Sequence, residues 1–369
     1  MSNLFDYLKW RGDLSFSQVP PGPVDALIFS ALAYIRFGGT VEENPDTPVR
    51  LLEAAERFFF LEDREDRIRV EEDLSLLTAA ASTFRFGNAK LYQYRDILEP
   101  EEETQFAAVT FLLDDGSAFL AFRGTDHSLV GWKEDFNMSF QDTVPSQRLA
   151  LEYTREIAGK LLVPLRLGGH SKGGNLAMFA SIKSESQIRQ RILSVFNNDG
   201  PGFREYLMDD EAYREMVPRL HTFVPQSSVI GMLLEHEEPY VIIKSKQLGL
   251  MQHELYSWEL DGPEFVLMEE ISAHSHILNL TIKSWLAEMT PLERNEVVDT
   301  LFDLLSVGNV ESAKEIIHPK NIRNYFKTLS SDENMRRILS GELLSFLEAA
   351  VKTQLQMVDP NQLRLEQPQ

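Results

Sequence analysis

The 369-residue sequence contains no cysteine, which excludes disulfide bonds and thiolate metal sites. It also has no apolar run of the roughly 18 residues that a membrane-spanning helix requires. The first residues, MSNLFDYLKWRGD, lack an apolar stretch behind a basic segment, which argues against a secretory signal peptide. We therefore expect a soluble, cytoplasmic protein without a transmembrane segment.

Basic residues are in the minority. There are 36 lysines and arginines against 57 aspartates and glutamates, so the formal net charge is −21. Such a surface repels phosphate backbones, and the composition therefore argues against nucleic-acid binding. Hydrophobic residues make up 43% of the chain, a share that is typical of soluble globular proteins with a sizeable core.

Hydrophobic periodicity divides the chain into three zones. Residues 1–103 predict a mostly helical region packed on the core, because apolar residues recur at helical spacing in VDALIFSALAYIRF and DLSLLTAAASTFRFG. Residues 104–268 predict a core in which strands and helices alternate. Residues 269–369 predict a second helical region, which ends in the helix ELLSFLEAAVKTQLQMV and the polar, frayed tail DPNQLRLEQPQ.

The middle zone has the pattern of an α/β sheet. FAAVTFLLDDGSAFLAF predicts two strands joined by a tight turn at Asp115 and Gly116. A helical stretch and the short strand VPLRLGG follow, and then a helix that begins near Gly174. Three further strands are predicted in ILSVFNND, RLHTFVPQ and PYVIIKSK. This alternation predicts an α/β fold with a mostly parallel central sheet flanked by helices.

The segment GGHSKGG matches the G-x-S-x-G pattern of a nucleophile elbow, with Ser171 at its centre. In such an elbow the serine lies on a sharp strand-to-helix turn, and glycines beside it allow the turn to close. An apolar strand precedes the motif here, and the helical segment NLAMFASI follows it. The pattern predicts a nucleophilic serine; a glycine-rich turn without catalysis is the alternative.

Four segments together resemble the class 3 lipase branch of the α/β hydrolases, and more closely a bacterial lipase-like branch of that group. They are AFLAFRGTDHSLVGWKEDF, LGGHSKGGNLA, VFNNDGPGF and QHELYSWEL, which follow one another in the family's order. The resemblance implies an α/β-hydrolase fold, with the terminal helical regions as additions. It also implies that the amides of Thr125 and Lys172 form the oxyanion hole and that the late His253 is the base. Trp132 and Asp135 match residues of the family and are expected to be structural supports.

The other histidines are weaker candidates for the base. His170 adjoins the nucleophile and is expected to be a packing residue, whereas His127 is expected to be a polar loop residue. His253 follows the last predicted strand and fits the order of serine before histidine in α/β hydrolases.

The acid of the triad departs from the family pattern. Class 3 lipases carry an aspartate just after the strand that RLHTFVPQ predicts, but this sequence continues there with PQSSV, which has no carboxylate. Two replacements are open. In the favoured hypothesis, Asp199 reaches the imidazole from the end of the preceding strand. In the alternative, Ser228 or Ser227 orients a neutral His253.

These residues predict a serine hydrolase that cleaves carboxylic esters through a triad of the Ser-His-Asp type. The expected substrate is a small-molecule acyl ester or a lipid-like ester, and no cofactor is implied. Asn137, Met138 and Phe140 are candidates for an apolar pocket, with core packing as the alternative. Two other functions stay open: a non-catalytic binding protein of the same fold, and a thioesterase or peptidase on the same scaffold.

Overall fold

The computed structural model describes residues 2–43, 47–126, 128–204, 207, 210–307, 318–341 and 345–346. Within these ranges, an eight-stranded sheet forms the centre of the molecule, and its strands lie side by side in chain order. The strands are Val49–Arg50 (β1), Lys90–Glu99 (β2), Thr104–Leu112 (β3), Ala118–Phe122 (β4), Leu165–His170 (β5), Ile192–Asn198 (β6), Leu220–Pro225 (β7) and Tyr240–Ile243 (β8). A separate hairpin is formed by Leu260–Asp261 (β9) and Glu264–Phe265 (β10).

The sheet changes from antiparallel to parallel along its width. β1 to β4 pair antiparallel, whereas β4 to β8 pair parallel. The hairpin predicted at Asp115 and Gly116 is confirmed, and Gly116 adopts a φ of 82°, which costs glycine little. The parallel pairings bring the carboxyl ends of β4 to β8 to one edge of the sheet, where α/β proteins build their sites. The predicted α/β fold is therefore confirmed.

Helices lie on both faces of the sheet. They are Leu4–Arg11 (α1), Pro23–Leu32 (α2), Leu51–Phe59 (α3), Glu71–Ala81 (α4), Phe84–Gly87 (α5), Leu129–Asn137 (α6), Pro145–Lys160 (α7), Lys172–Lys183 (α8), Ser186–Arg189 (α9), Glu211–Met216 (α10), Ala273–Glu288 (α11), Pro291–Leu305 (α12) and Pro319–Ser331 (α13). Residues 333–341 are helical as well. Short 3-10 turns occur at Arg64–Arg67, Val217–Arg219, Ile230–Met232, Gly249–His253 and Leu255–Ser257.

Alternating side chains divide the core into two layers. In β4, Phe119 and Ala121 face the layer that α2, α3 and α4 cover, whereas Leu120 and Phe122 face the layer that α7 and α8 cover. Because both faces are covered, the central strands β3 to β5 are almost entirely buried, which explains their continuous apolar sequences. A smaller apolar cluster joins α6 to α12.

Strand β2 lies in the zone that was expected to be mostly helical. It pairs with β3 over its whole length, so the predicted boundary between residues 103 and 104 falls between two paired strands. A bulge between Tyr92 and Arg95, where Gln93 has a φ of 52°, interrupts the register. The extra residues of a bulge break the period of two by which a strand is recognised.

In the C-terminal zone, the described part of the chain contains the helices α11, α12 and α13. Apart from residues 345–346, the predicted helix ELLSFLEAAVKTQLQMV and the polar tail lie outside the described residues. Within the described ranges, no helix has both the length and the apolarity to cross a membrane.

Candidate active site

Ser171 lies at the junction of β5 and α8, in a strained backbone conformation. Its φ is 58° and its ψ is −134°. Such a conformation costs a residue with a Cβ about 1–3 kcal/mol, so the surrounding structure must hold it in place. Here the amide of Ser171 donates to the carbonyl of Asn198 (2.9 Å), and its carbonyl accepts from the amide of Gly174 (2.9 Å).

The glycines beside Ser171 allow three elements to approach each other closely. A Cβ at Gly169 would lie 2.2 Å from the carbonyl carbon of Gly173. A Cβ at Gly173 would lie 2.1 Å from the carbonyl oxygen of Phe122, at the end of β4. No side chain fits at either position, so the G-x-S-x-G spacing follows from the packing of α8 against β4 and β5.

His253 and Asp199 form a hydrogen-bonded pair beside the elbow. Nδ1 of His253 lies 2.6 Å from Oδ2 of Asp199, which is fully buried just after β6. An aspartate at Nδ1 leaves Nε2 as the nitrogen that accepts a proton. Among the described residues, Oγ of Ser171 has no hydrogen-bond partner; in ligand-free sites the bond from nucleophile to base is often long.

The second oxygen of Asp199 is held by Ser228. The Ser228 hydroxyl donates to Oδ1 of Asp199 (2.5 Å) and accepts from the amide of Gly231 (3.1 Å). A Cβ at Gly231 would lie 2.2 Å from the same carboxylate oxygen, so this position requires glycine. The two residues that the sequence offers as alternatives thus lie in one chain of hydrogen bonds, in which Asp199 contacts His253 and Ser228 contacts Asp199. Ser227 bonds elsewhere, to Gln252 and Ser272.

The predicted oxyanion loop lies against the elbow. A Cβ at Gly124 would lie 3.1 Å from Cβ of Ser171 and 2.4 Å from the carbonyl oxygen of His170. In the part of the chain that the structure describes, the amides of Thr125 and Lys172 donate no hydrogen bond. Lys172 is the first residue of α8, and an amide at this position has no partner within the helix. The positive end of the helix dipole also lies here and attracts negative charge. Two amides without partners among the described residues are thus present near Ser171, one in the loop after Gly124 and one at the start of α8.

The Lys172 side chain is buried and points to α6. Its ammonium group donates to Oε2 of Glu134 (2.8 Å), and to the carbonyl (2.8 Å) and side-chain (2.9 Å) oxygens of Gln105. Glu134 also accepts from the amides of Gln105 and Ser146. Because charge and hydrogen bonds are both satisfied, the buried ion pair joins α6 firmly to α8.

Asp135 contacts the oxyanion loop directly. Its Oδ2 accepts from the hydroxyl of Thr125 (2.6 Å), which agrees with the expected supporting position. Its Oδ1 lies 4.0 Å from the Lys172 ammonium group and has no hydrogen-bond partner among the described residues. Burial raises the pKa of Asp135 to about 6, although the positive charge of Lys172 opposes the change.

His170 makes two hydrogen bonds where the sequence predicts only packing. Nε2 lies 2.8 Å from the carbonyl oxygen of His253, and Nδ1 lies 2.9 Å from the hydroxyl of Tyr34. Tyr34 and Glu134 are site residues that the sequence did not reveal. Their partners are distant along the chain and no local motif marks them.

The other predicted residues lie along α6 and just beyond it. Trp132 is 39% exposed, and Asn137 is buried and donates to Glu103. Met138 and Phe140 are buried in apolar clusters, and Met138 also borders a small surface cleft beside Gln147 and Asn175. His127 lies outside the described residues.

The mostly parallel sheet, the helices on both of its faces and the sharp turn from β5 to α8 at Ser171 define a protein with the α/β-hydrolase fold that the sequence predicts. More specifically, the chain belongs to the Mbeg1-like family, whose sequence profile matches residues 80–303, more than half of its length. The structure is also similar to a crystal structure of a mutant form of MDLA from Penicillium cyclopium, with a TM-score of 0.39 and 12% sequence identity. The match covers 66% of this chain and 83% of the MDLA chain. No curated protein is significantly similar in sequence.

Proposed function

We propose that this protein is a serine hydrolase of carboxylic esters, with Ser171 as nucleophile, His253 as base and Asp199 as acid. The amides of Thr125 and Lys172 form its oxyanion hole. The substrate class is a small acyl ester or a lipid-like ester, and no cofactor takes part in the reaction.

In the proposed reaction, Oγ of Ser171 attacks the carbonyl carbon of the ester, and Nε2 of His253 takes the hydroxyl proton. The carbonyl oxygen becomes an oxyanion, which the two free amides stabilise. Collapse of this intermediate breaks the ester bond, and His253 returns the proton to the departing alcohol. Water then attacks the acyl-enzyme by the same sequence of proton transfers and releases the carboxylic acid.

The observation that carries the proposal is the 2.6 Å contact between His253 and the buried Asp199 beside the strained Ser171. An imidazole that donates from Nδ1 to a carboxylate has its basic nitrogen at Nε2 and is stabilised when it becomes charged. The alternative, a glycine-rich turn that only connects β5 to α8, would not require a buried hydrogen bond between His253 and Asp199 next to it.

The proposal is tested with a fluorophosphonate probe and with p-nitrophenyl acetate. The folded wild-type protein should be labelled at Ser171 and should hydrolyse the ester. Ser171→Ala should abolish both, because the nucleophilic oxygen is removed, while its circular dichroism and melting temperature stay close to those of the wild type.

Ser181→Ala is a matched control, since Ser181 is a buried serine of α8 whose hydroxyl bonds within the helix. Labelling should persist in that variant. Absence of labelling in folded wild-type protein would contradict the proposal and favour the non-catalytic binding protein. Faster turnover of acyl thioesters or peptides than of oxygen esters would keep the nucleophile but change the substrate class.

A further inference from the structure

The imidazole of His170 is almost completely buried, and both of its nitrogens are engaged. The carbonyl of His253 can only accept a hydrogen bond, so Nε2 of His170 must carry a proton. Burial, together with the neighbouring His253, holds the pKa of His170 well below its usual value, so the ring is neutral. Nδ1 is then an acceptor, and the hydroxyl of Tyr34 must donate to it.

Tyr34 is itself held by the N-terminal region. It is buried just beyond α2, and burial raises its pKa, so that it keeps the proton that it donates. The guanidinium carbon of Arg69 lies 4.6 Å from the centre of its ring. Arg69 also makes two hydrogen bonds, of 2.5 and 2.7 Å, to Glu254, the residue after His253. The N-terminal region therefore reaches the base-bearing segment both through His170 and through Glu254.

The segment that carries His253 is also anchored by the buried Gln252, which makes hydrogen bonds with Ser227, Gln247 and Trp258. It is a single 3-10 turn at the protein surface, in which Met251 is 63% exposed, and the preceding Leu248 is 83% exposed. Asp199 fixes the imidazole of His253 at Nδ1, but the bond from His170 fixes its backbone carbonyl. A general base must lie within hydrogen-bond reach of its proton, and a displacement of about 1 Å can cost about 10²-fold in rate.

We propose that Tyr34 and His170 form a hydrogen-bonded relay that positions the backbone of His253, so that both are positioning residues for the base. This inference rests on the proposed function. Tyr34 selects the tautomer of His170 with its proton on Nε2, and only that tautomer can donate to the carbonyl of His253. The relay explains why a polar histidine stands beside the nucleophile, and it gives the N-terminal region a part in catalysis.

The kinetic test compares Tyr34→Phe, His170→Leu and His170→Gln with p-nitrophenyl acetate. Leucine cannot donate to the carbonyl of His253, so His170→Leu should lower kcat by about 10²-fold with little change in KM. Tyr34→Phe leaves Nδ1 of His170 without its donor, so the tautomer is selected by the His253 carbonyl alone, and kcat should fall by about tenfold. The side-chain amide of glutamine places an N–H near the position of Nε2, so His170→Gln should recover most of the loss.

Tyr7→Phe is the matched control. Tyr7 is another buried tyrosine of the N-terminal region, but its hydroxyl donates to Asp25 and makes no contact with the relay. This variant should keep the wild-type kcat. If it loses as much as Tyr34→Phe, or if His170→Leu keeps the wild-type kcat, the relay is wrong.

A second measurement does not depend on activity. In protein labelled with ¹⁵N-histidine, the ring resonances of His170 should report a neutral imidazole with its proton on Nε2 between about pH 5.5 and 8. A proton on Nδ1 would overturn the inference. If the wild type shows the expected tautomer but hydrolyses no ester, the proposed function fails while the hydrogen-bond relay stands, so the two failures can be told apart.

Discussion

Asp199 follows the sixth strand directly, and its two carboxylate oxygens have different partners. One oxygen accepts from His253, and the other accepts from Ser228. Ser228 lies after β7, in the segment where the resemblance to class 3 lipases would put the acid. From these contacts we propose different tasks for the two candidates: Asp199 orients the imidazole, and Ser228 orients Asp199.

This arrangement predicts unequal losses for the two residues. Asp199→Asn should lower kcat by about 10⁴, the loss that follows the same change in a serine protease triad, because the amide no longer favours the required imidazole tautomer. Ser228→Ala should lower kcat by only about tenfold, since it removes one hydrogen bond from a carboxylate that keeps its contact with His253. Steady-state kinetics with a p-nitrophenyl ester check both values. A larger loss in Ser228→Ala would show that serine, not aspartate, is the partner that matters.

The site was predictable from the sequence to the extent that its parts are local. Ser171 can be recognised by the glycines within three residues on either side, because the sharp turn at Ser171 leaves no room for side chains at those positions. The proximity of Asp199 to His253 depends on the order of the strands in the sheet, so the sequence gives it only as a hypothesis. Tyr34 and Glu134 contact His170 and Lys172 through tertiary packing, and no spacing along the chain records such contacts.

At the scale of elements, α6 supports the proposed oxyanion loop. Asp135 on this helix accepts from the Thr125 hydroxyl, and Glu134 pairs with Lys172 at the start of α8. The helix therefore contacts both residues whose amides form the proposed oxyanion hole. Its neighbouring carboxylates differ in environment, because Glu134 has its charge compensated whereas one oxygen of Asp135 is buried without a hydrogen-bond partner among the described residues.

The raised pKa of Asp135 predicts a pH-dependent difference in stability. The pKa rises from 3.8 to about 6, so between these values the folded state binds more protons than the unfolded state. The contribution of Asp135 to stability is thus fully present below about pH 4 and is lost as the pH rises through about 6. Asp135→Asn does not ionise, and its amide oxygen still accepts from Thr125. The melting temperature of the wild type minus that of Asp135→Asn should therefore fall between about pH 4 and 6.5 and then level off.

Thermal unfolding of the two proteins in a series of buffers measures this difference. Parallel curves across the whole range would contradict the raised pKa. Retention of ester hydrolysis by Asp135→Asn would show in addition that Thr125 needs an acceptor at this position and not a negative charge.

The larger strands and helices of the core were also predictable for the most part, and the failure to predict β2 has a structural cause. The hairpin of β3 and β4 is visible because its turn is short and its strands are mostly apolar. In β2, the bulge at Gln93 breaks the alternation, and one end of the strand is exposed. A strand is recognised in a sequence by the regular alternation of buried apolar and exposed polar residues. Because β2 is bulged and partly exposed, its residues do not alternate in this way.

At the scale of the whole molecule, the C-terminal region packs against the helix α6 of the candidate site. The family match extends over residues 80–303, so it includes β2 and most of α12 as well as the residues between them. α12 packs on α6 through Val298 and Phe302, and the ring of Phe302 lies 5.8 Å from that of Phe136. Lys133 of α6 adds an ion pair with Asp299 (2.7 Å). The C-terminal region thus holds the helix that supports the oxyanion loop.

Phe302→Ala should therefore loosen α6 and reduce activity from a distance. The side chain is only 5% exposed, so its truncation should cost about 3 kcal/mol, and the loss should appear first in α6 because that is the helix it covers. Leu292→Ala, at a position of the same helix that is 79% exposed, is the matched control and should have almost no effect. Hydrogen exchange followed by mass spectrometry should show faster exchange in peptides from α6 in Phe302→Ala only, together with a lower kcat for ester hydrolysis. Unchanged protection of α6 in a folded Phe302→Ala protein would mean that the Lys172–Glu134 pair is sufficient to hold this helix and that α12 does not support the site.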